Sequence, residues 1–311
     1  MNSSPQSSRR NFLKTSALAA AGSALAGTPA LAAKDVPADR EFCTFIKPLQ
    51  EFSYDELADI IADLGFQGIE ATVRGKGHVL PENVQRDLPK LVKALEKRDL
   101  RIFTMASDLN DVTKEQHTET VLKTAADLGI PSFRMAYYKY DLSGKTPLQD
   151  QLESFKAPLG RLIDLVDEVD MQALYQNHSG ANYCGANLWD LFYLMKDYPK
   201  NRFASGYDIG HALVEGGKAW PQNLALMLPR IEMLYVKGPA YTENGFHFGP
   251  LADSSHDHKR IFAMLAKGGF TGPYNLHVEY HMKSDDKAAL SIADMESDLA
   301  TLKSWLNQAG N

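Results

Sequence analysis

From about residue 42 onward, short apolar runs alternate with stretches whose apolar positions recur every three to four residues. Eight runs read as strands, at 42–46, 68–72, 101–105, 132–137, 171–177, 202–208, 233–237 and 273–279. The segments between them read as helices. The first opens at Ser53-Tyr54-Asp55-Glu56, a serine N-cap with an acid three residues on. The others cover 83–98, 113–128, 146–169, 186–196, 220–228, 258–267 and 288–307, with Pro89 inside the second and Pro158 marking a break in the fourth. Strands that alternate with helices pair in parallel, because a parallel connection needs a crossover. Eight such units predict one closed (β/α)8 TIM barrel of class α/β. The longest loop, 240–257, follows the seventh strand and is expected to lie over the catalytic face.

The first 33 residues do not share this pattern. Ser8-Arg9-Arg10-Asn11-Phe12-Leu13-Lys14 precedes a small-residue apolar run at 17–26, and Ala30-Leu31-Ala32 supplies an A-x-A cleavage site. The segment resembles a twin-arginine export signal, a receptor-read address that is too short to span a bilayer. The resemblance implies export in a folded state, through the twin-arginine (Tat) machinery, to the bacterial periplasm. No cysteine follows for lipid anchoring, so no stable membrane insertion is expected. The expected division is a signal peptide at 1–33 and a single barrel at 34–311.

Composition narrows the partners. The chain of 311 residues has a formal charge of −6, and Arg9, Arg10 and Lys14 are the only charges before residue 34, which leaves −9 on the barrel. An acidic body argues against nucleic acid as a partner. Two cysteines, Cys43 and Cys184, are too few for a disulfide framework or a thiolate zinc site; whether they pair is left open, as is a homo-oligomer.

A barrel carries its chemistry at the C-terminal ends of its strands. Glu70 lies near the end of the second, Gln176-Asn177-His178 ends the fifth, and Asp208 ends the sixth with His211 one turn later. Tyr235 and Lys237 close the seventh, and His277-Val278-Glu279 closes the eighth. Each has a structural alternative when read singly. Asp208 could cap the next turn, Glu70 could pair with Arg101 or Arg134, and Lys237 could neutralise an acidic rim. His178 and His277 could be buried, hydrogen-bonded imidazoles. Taken together, polar groups at successive strand ends favour a functional rim. His247, His256 and His258 lie in or beside the long loop, as solvated groups or parts of a lid. The run Tyr137-Tyr138-Lys139-Tyr140 either stacks on a sugar or packs its loop, and Trp189 and Trp220 are expected to pack helices.

These segments resemble the xylose isomerase-like barrel superfamily, in its sugar phosphate isomerase/epimerase branch. The matching stretches are Gly65-Phe66-Gln67-Gly68-Ile69-Glu70, Tyr175-Gln176-Asn177-His178, Tyr207-Asp208-Ile209-Gly210-His211, Val236-Lys237-Gly238 and His277-Val278-Glu279-Tyr280. The resemblance implies a divalent ion (Mn²⁺, Zn²⁺ or Mg²⁺) held by a carboxylate, an aspartate, a histidine and a glutamate on strands five to eight. Asp208 and Glu279 match that pattern. Gln176 stands where the first carboxylate would be and Tyr235 where the histidine would be, while Gly238 replaces an aspartate. The implied metal set is Asp208, Glu279 and Gln176.

Gln176 can be an oxygen ligand but not a base, so two-base epimerisation fits poorly. Glu279 remains as base, with His211, His178 or His277 as acid, Lys237 beside them, and Glu70 orienting a hydroxyl or acting as a second base. His277, Tyr235 and Asn177 are expected to bind substrate. The function implied is an exported carbohydrate-active enzyme that removes a proton next to a carbonyl of a sugar or keto-sugar, as isomerase, epimerase or keto-glycoside lyase. The alternative is a non-enzymatic carbohydrate-binding barrel that has lost its metal. Phosphorylated substrates fit less well, since no Gly-rich phosphate loop is present. A phosphodiesterase would require a richer metal set and a basic groove.

Overall fold

All eight apolar runs form strands. The computed structural model describes residues 40–243 and 245–309; the twin-arginine segment and the expected boundary at residue 33 lie outside the described residues. The order is β1 (Phe42–Phe45), α1 (Tyr54–Asp63), β2 (Gly68–Val73), α2 (Val84–Glu96), β3 (Arg101–Ser107), α3 (Thr118–Asp127), β4 (Ser132–Arg134), α4 (Leu148–Ser154) and α5 (Lys156–Glu168). It continues with β5 (Gln172–Gln176), α6 (Leu188–Met195), β6 (Phe203–Asp208), α7 (Ile209–Gly216), α8 (Trp220–Met227) and β7 (Ile231–Val236). The last elements are β8 (Gly238–Thr242), β9 (Gly245–Gly249), α9 (His258–Lys267), β10 (Tyr274–Leu276) and α10 (Lys287–Ala309).

The strands close as a barrel in the order β1-β10-β7-β6-β5-β4-β3-β2, every pairing parallel. Helix stripes such as Leu88, Leu91 and Leu95 of α2 bury against the strands' outer faces in the main core. A smaller core of Cys43, Phe103, Leu174, Ala204, Met233 and Tyr235 fills the barrel interior. Both cysteines are buried and free. Ser53 and Glu56 form the expected capping box on α1.

Three local features differ from the pattern reading. The break in the fourth helix falls at Phe155, between α4 and α5, not at Pro158. Pro158 sits in the first turn of α5, where its missing N–H is not needed. Asp208 caps a whole helix, α7, which its glycines had disguised as a turn. The long loop contains an antiparallel hairpin, β8 with β9, in place of irregular chain.

Candidate active site

Residues two apart on a strand share a face, so the inward series of each strand continues upward into the C-terminal mouth. There the polar side chains form two joined clusters. The deeper one centres on Glu70, which is fully buried. Its Oε1 accepts from Arg134 Nε at 2.6 Å, and its Oε2 accepts from Asn275 Nδ2 and His277 Nε2, each at 2.8 Å. A carboxylate only accepts, so His277 carries its proton on Nε2. Burial alone would raise the Glu70 pKa, but Arg134 and His277 outweigh it and hold it at about 2. The His277 ring is packed between Phe45, at 4.8 Å, and Tyr235, at 4.7 Å.

Arg134 connects this cluster to the next. It donates through Nη1 to Gln176 Oε1 and to the Tyr137 hydroxyl, and Tyr137 donates to the same Oε1 at 2.6 Å. Two donors on Oε1 fix the amide's orientation, and Gln176 Nε2 then donates to Asp208 Oδ2 at 2.7 Å. Asp208, also fully buried, receives the His211 N–H on Oδ1 at 3.0 Å as the cap of α7. Asn177 clasps the Asp208 backbone from both sides, accepting its N–H at 2.8 Å and donating to its carbonyl at 3.0 Å. Burial would raise the Asp208 pKa; the Lys237 ammonium and the hydrogen bond from the His211 backbone N–H keep it well below the carboxylate range.

Lys237 Nζ lies 3.4 Å from Asp208 Oδ2, 3.1 Å from Glu279 Oε2 and 3.2 Å from His211 Nε2. Burial would lower the Lys237 pKa, but Asp208 and Glu279 outweigh it and hold the ammonium above its ordinary value. Since this ammonium donates to His211 Nε2, the imidazole carries its proton on Nδ1, which donates to Ser179 Oγ at 3.0 Å. Burial pushes His211 down to about 3, so it is neutral. Its ring lies 4.0 Å from that of His178, whose Nδ1 donates to the Ser179 carbonyl at 2.8 Å.

Glu279 is the outermost carboxylate, and its side chain keeps 24% exposure, against 0% for Glu70 and Asp208. Lys47 Nζ binds its Oε1 at 2.8 Å. Burial would raise its pKa, yet the ammonium groups of Lys237 and Lys47 hold it well below the ordinary value.

The structure thus gathers Glu70, Gln176, Asn177, His178, Asp208, His211, Tyr235, Lys237, His277 and Glu279 at one mouth. Tyr235, Asn177 and His277 lie beneath its surface; Tyr235 is fully buried, over Gly206, where a Cβ would come within 2.4 Å of its ring. Of the loop histidines, His247 is exposed on β9, His256 packs on Tyr241, and His258 stacks on Trp305 at 3.7 Å. The pattern reading missed Lys47 and gave Arg134 only as a partner. Extending the strand alternation from Phe45 to Lys47, and along β4 to Arg134, would have reached both.

The hairpin closes one side of the mouth. Phe248 of β9 meets His211 edge-on at 5.0 Å, and the Lys237 ammonium lies 5.4 Å from its ring. Gly210 permits this approach, since a Cβ there would come within 2.8 Å of both Lys237 and Phe248. On the other side Tyr183 stacks on His178 at 5.0 Å and lines an adjoining groove of about 670 Å³ with Tyr140, Asn187, Trp189 and Gln222. Trp189, expected to pack between helices, is instead 52% exposed along this groove.

The donor set does not fit a divalent ion. Asp208 Oδ2 is occupied by the Gln176 amide and faces Lys237, both Glu279 oxygens face ammonium groups, and Gln176 turns its oxygen to Arg134 and Tyr137. Among the described residues, no three His, Cys, Asp or Glu side chains form a group able to hold a metal.

Comparison with known proteins places the chain. The xylose isomerase-like TIM barrel family matches residues 58–305. The chain belongs to that family. The twin-arginine translocation signal family matches residues 6–26, which assigns export to the periplasm, and among the described residues no helix is long and apolar enough to cross a membrane. No curated protein matches the sequence. Among solved structures, the chain is similar to 3-keto-D-glucoside 4-epimerase from E. coli, at 14% identity and TM-score 0.63, covering 86% of this chain and 100% of that one. It is similar to D-psicose 3-epimerase from Clostridium cellulolyticum H10, at 10% identity and TM-score 0.65, covering 86% and 99%. It is also similar to a probable 3-DHS dehydratase from Bacillus anthracis, at 14% identity and TM-score 0.64, covering 85% and 98%. At these identities the likeness is one of fold.

Proposed function

We propose that this family member is an exported carbohydrate-active enzyme that abstracts a proton next to the carbonyl of a keto-sugar or keto-glycoside. The observation that carries this reading is the exposure of one carboxylate, Glu279, in a mouth whose other two are sealed and hydrogen-bonded. Glu279 is the base. The C–H electron pair passes to the carbonyl oxygen, and the Lys237 ammonium, 3.1 Å from Glu279, supplies positive charge where that oxyanion develops.

A single accessible carboxylate favours isomerisation or β-elimination over two-base epimerisation. In elimination the enolate reforms the carbonyl, the β C–O bond breaks, the departing oxygen takes a proton from water, and Glu279 returns its own to solvent. His178 is the half-buried imidazole of the mouth; its Nδ1 proton is held by the Ser179 carbonyl and burial lowers its pKa, so its Nε2 is an acceptor that can orient that water. Glu70, Asn177, Tyr235 and His277 serve as supports beneath the substrate, and Gln176 positions Asp208. The adjoining groove, with Trp189 and its amide side chains, receives the non-reacting part of a glycoside. A dehydratase and a keto-glucoside epimerase among proteins of similar fold are consistent with this class.

A panel of keto-sugars and oxidised glycosides tests the reading. Glu279→Gln is expected to lower kcat by about 10²–10⁴, with substrate binding retained; undiminished turnover removes Glu279 as base. The sealing of Glu70 and Asp208 favours one other reading, a carbohydrate-binding barrel without turnover. A wild-type protein that binds members of the panel and converts none would establish it.

A further inference from the structure

Three side-chain atoms of the type that bind divalent metals converge on one point: Asp208 Oδ2, His211 Nε2 and Glu279 Oε2. The point is occupied by Lys237 Nζ, at 3.4, 3.2 and 3.1 Å. Those are spacings to an ammonium; a transition metal would draw the same atoms to about 2.0–2.2 Å. The lysine arrives there because it lies two residues beyond Tyr235, just past the end of β7, and continues that strand's inward series. Gly210 leaves room for its stem, and Phe248 covers its head.

We propose that the Lys237 ammonium is the resident cation of this mouth, standing where an Asp–His–Glu metal site would otherwise form, and that the protein works without a divalent ion. Three consequences follow from the geometry. The ammonium compensates two carboxylates, one of them fully buried, that could not otherwise stay ionised side by side. It uses the His211 lone pair, so that nitrogen is not free to bind a metal or take a proton. It also fixes Glu279 Oε2 while Lys47 fixes Oε1, which aims the carboxylate into the mouth. Lys237 is in this respect a positioning residue for Glu279. The catalytic significance rests on the function proposed above, whereas the refusal of metal does not.

The test therefore reads metal uptake and needs no substrate. Wild-type protein, stripped with chelator and titrated with Co²⁺, is expected to show no visible ligand-field band, no stoichiometric uptake and no change in Tm. Lys237→Ala opens the gap between Asp208, His211 and Glu279, and is expected to bind about one Co²⁺ per chain with a visible band and a raised Tm. Adding Glu279→Gln to that variant should weaken uptake at least ~10-fold. Stoichiometric uptake by the wild type that is lost on Glu279→Gln would overturn the proposal, and so would a folded Lys237→Ala protein that takes up none. If Lys237→Ala folds only when Co²⁺ is supplied, that rescue counts as the expected uptake. If it does not fold with or without the ion, the wild-type titration decides alone. A protein that refuses Co²⁺ and also turns over no sugar would keep this inference while removing the function proposed above.

Discussion

Glu70 and Glu279 are the same residue type in one mouth, and their surroundings have opposite character. Glu70 has no exposed surface, and a guanidinium, an amide and an imidazole fill its hydrogen-bonding positions. Glu279 is held at its sides by two ammonium groups and keeps an open edge. A carboxylate saturated in this way is a structural member, because it has no free edge from which to reach a substrate. One that is restrained but open can meet a substrate. Chemistry at this rim is a matter of which carboxylate remains accessible.

Making the same substitution at each gives the sharpest contrast. Glu279→Gln should abolish most turnover, by about 10²–10⁴, with little change in Tm. Glu70→Gln should lower stability by about 3–5 kcal/mol, because it leaves the Arg134 guanidinium buried without its counter-ion. Denaturant melts and kinetics on both variants check this; a Glu70→Gln protein of normal stability, or a Glu279→Gln protein of normal activity, breaks the distinction.

A third acid extends the comparison through pH. Asp298 of α10 is buried with no cation paired to it among the described residues, accepting from the Leu251 N–H at 2.7 Å and the Tyr280 hydroxyl at 3.1 Å, and burial raises it to about 6. Between its unfolded value of about 3.9 and 6 the folded state binds the extra proton. Asp298 therefore makes stability fall as pH rises through that window. Glu70, lowered to about 2, does the reverse: its contribution is present above about 4.3, its unfolded value, and is lost as pH falls towards 2. Asp298→Asn is expected to remove the falling limb and raise stability at pH 7 by a few kcal/mol, since each tenfold difference in proton affinity between folded and unfolded chains is worth about 1.4 kcal/mol. A melt series from pH 4 to 7 that is identical in the two proteins would refute this.

The smallest effect is expected at Lys47, whose side chain is 36% exposed. Lys47→Met should cost about 0–1 kcal/mol of stability and reduce turnover only modestly, since Lys237 still holds the other oxygen of Glu279. A loss as large as that of Glu279→Gln would make Lys47 an equal partner in the chemistry.

Much of this was legible in the chain. Parallel buried strands appear as apolar runs, and the rule that barrels work at their C-terminal rim is enough to locate Asp208, His211, Lys237 and Glu279. What escaped depends on distance across the barrel. The Glu70–Arg134 pair was one of two open to Glu70, but nothing in the linear order says that Arg134 also reaches Gln176, or that Lys47, placed at the rim by its strand, meets the carboxylate beyond β10. Helix α7 was hidden because Gly210, Gly216 and Gly217 resemble turn punctuation, although Gly210 is there for close packing. The hairpin was hidden by glycines at both its ends and at its turn. The filling of the expected metal position by Lys237 was hidden for a similar reason. Asp208 and Glu279 are in the right places, and only their distances to Lys237 show that the space between them is filled.

Position 210 has a consequence for anyone wishing to alter access to this opening. Its hydrogen atom is all that separates the first turn of α7 from the lysine stem and the Phe248 ring. A single added methyl would act as a wedge, prising the hairpin from the helix while leaving the identity of every polar group unchanged. Steric gating and chemical identity can therefore be varied independently in this barrel, the first from a residue that has no side chain at all.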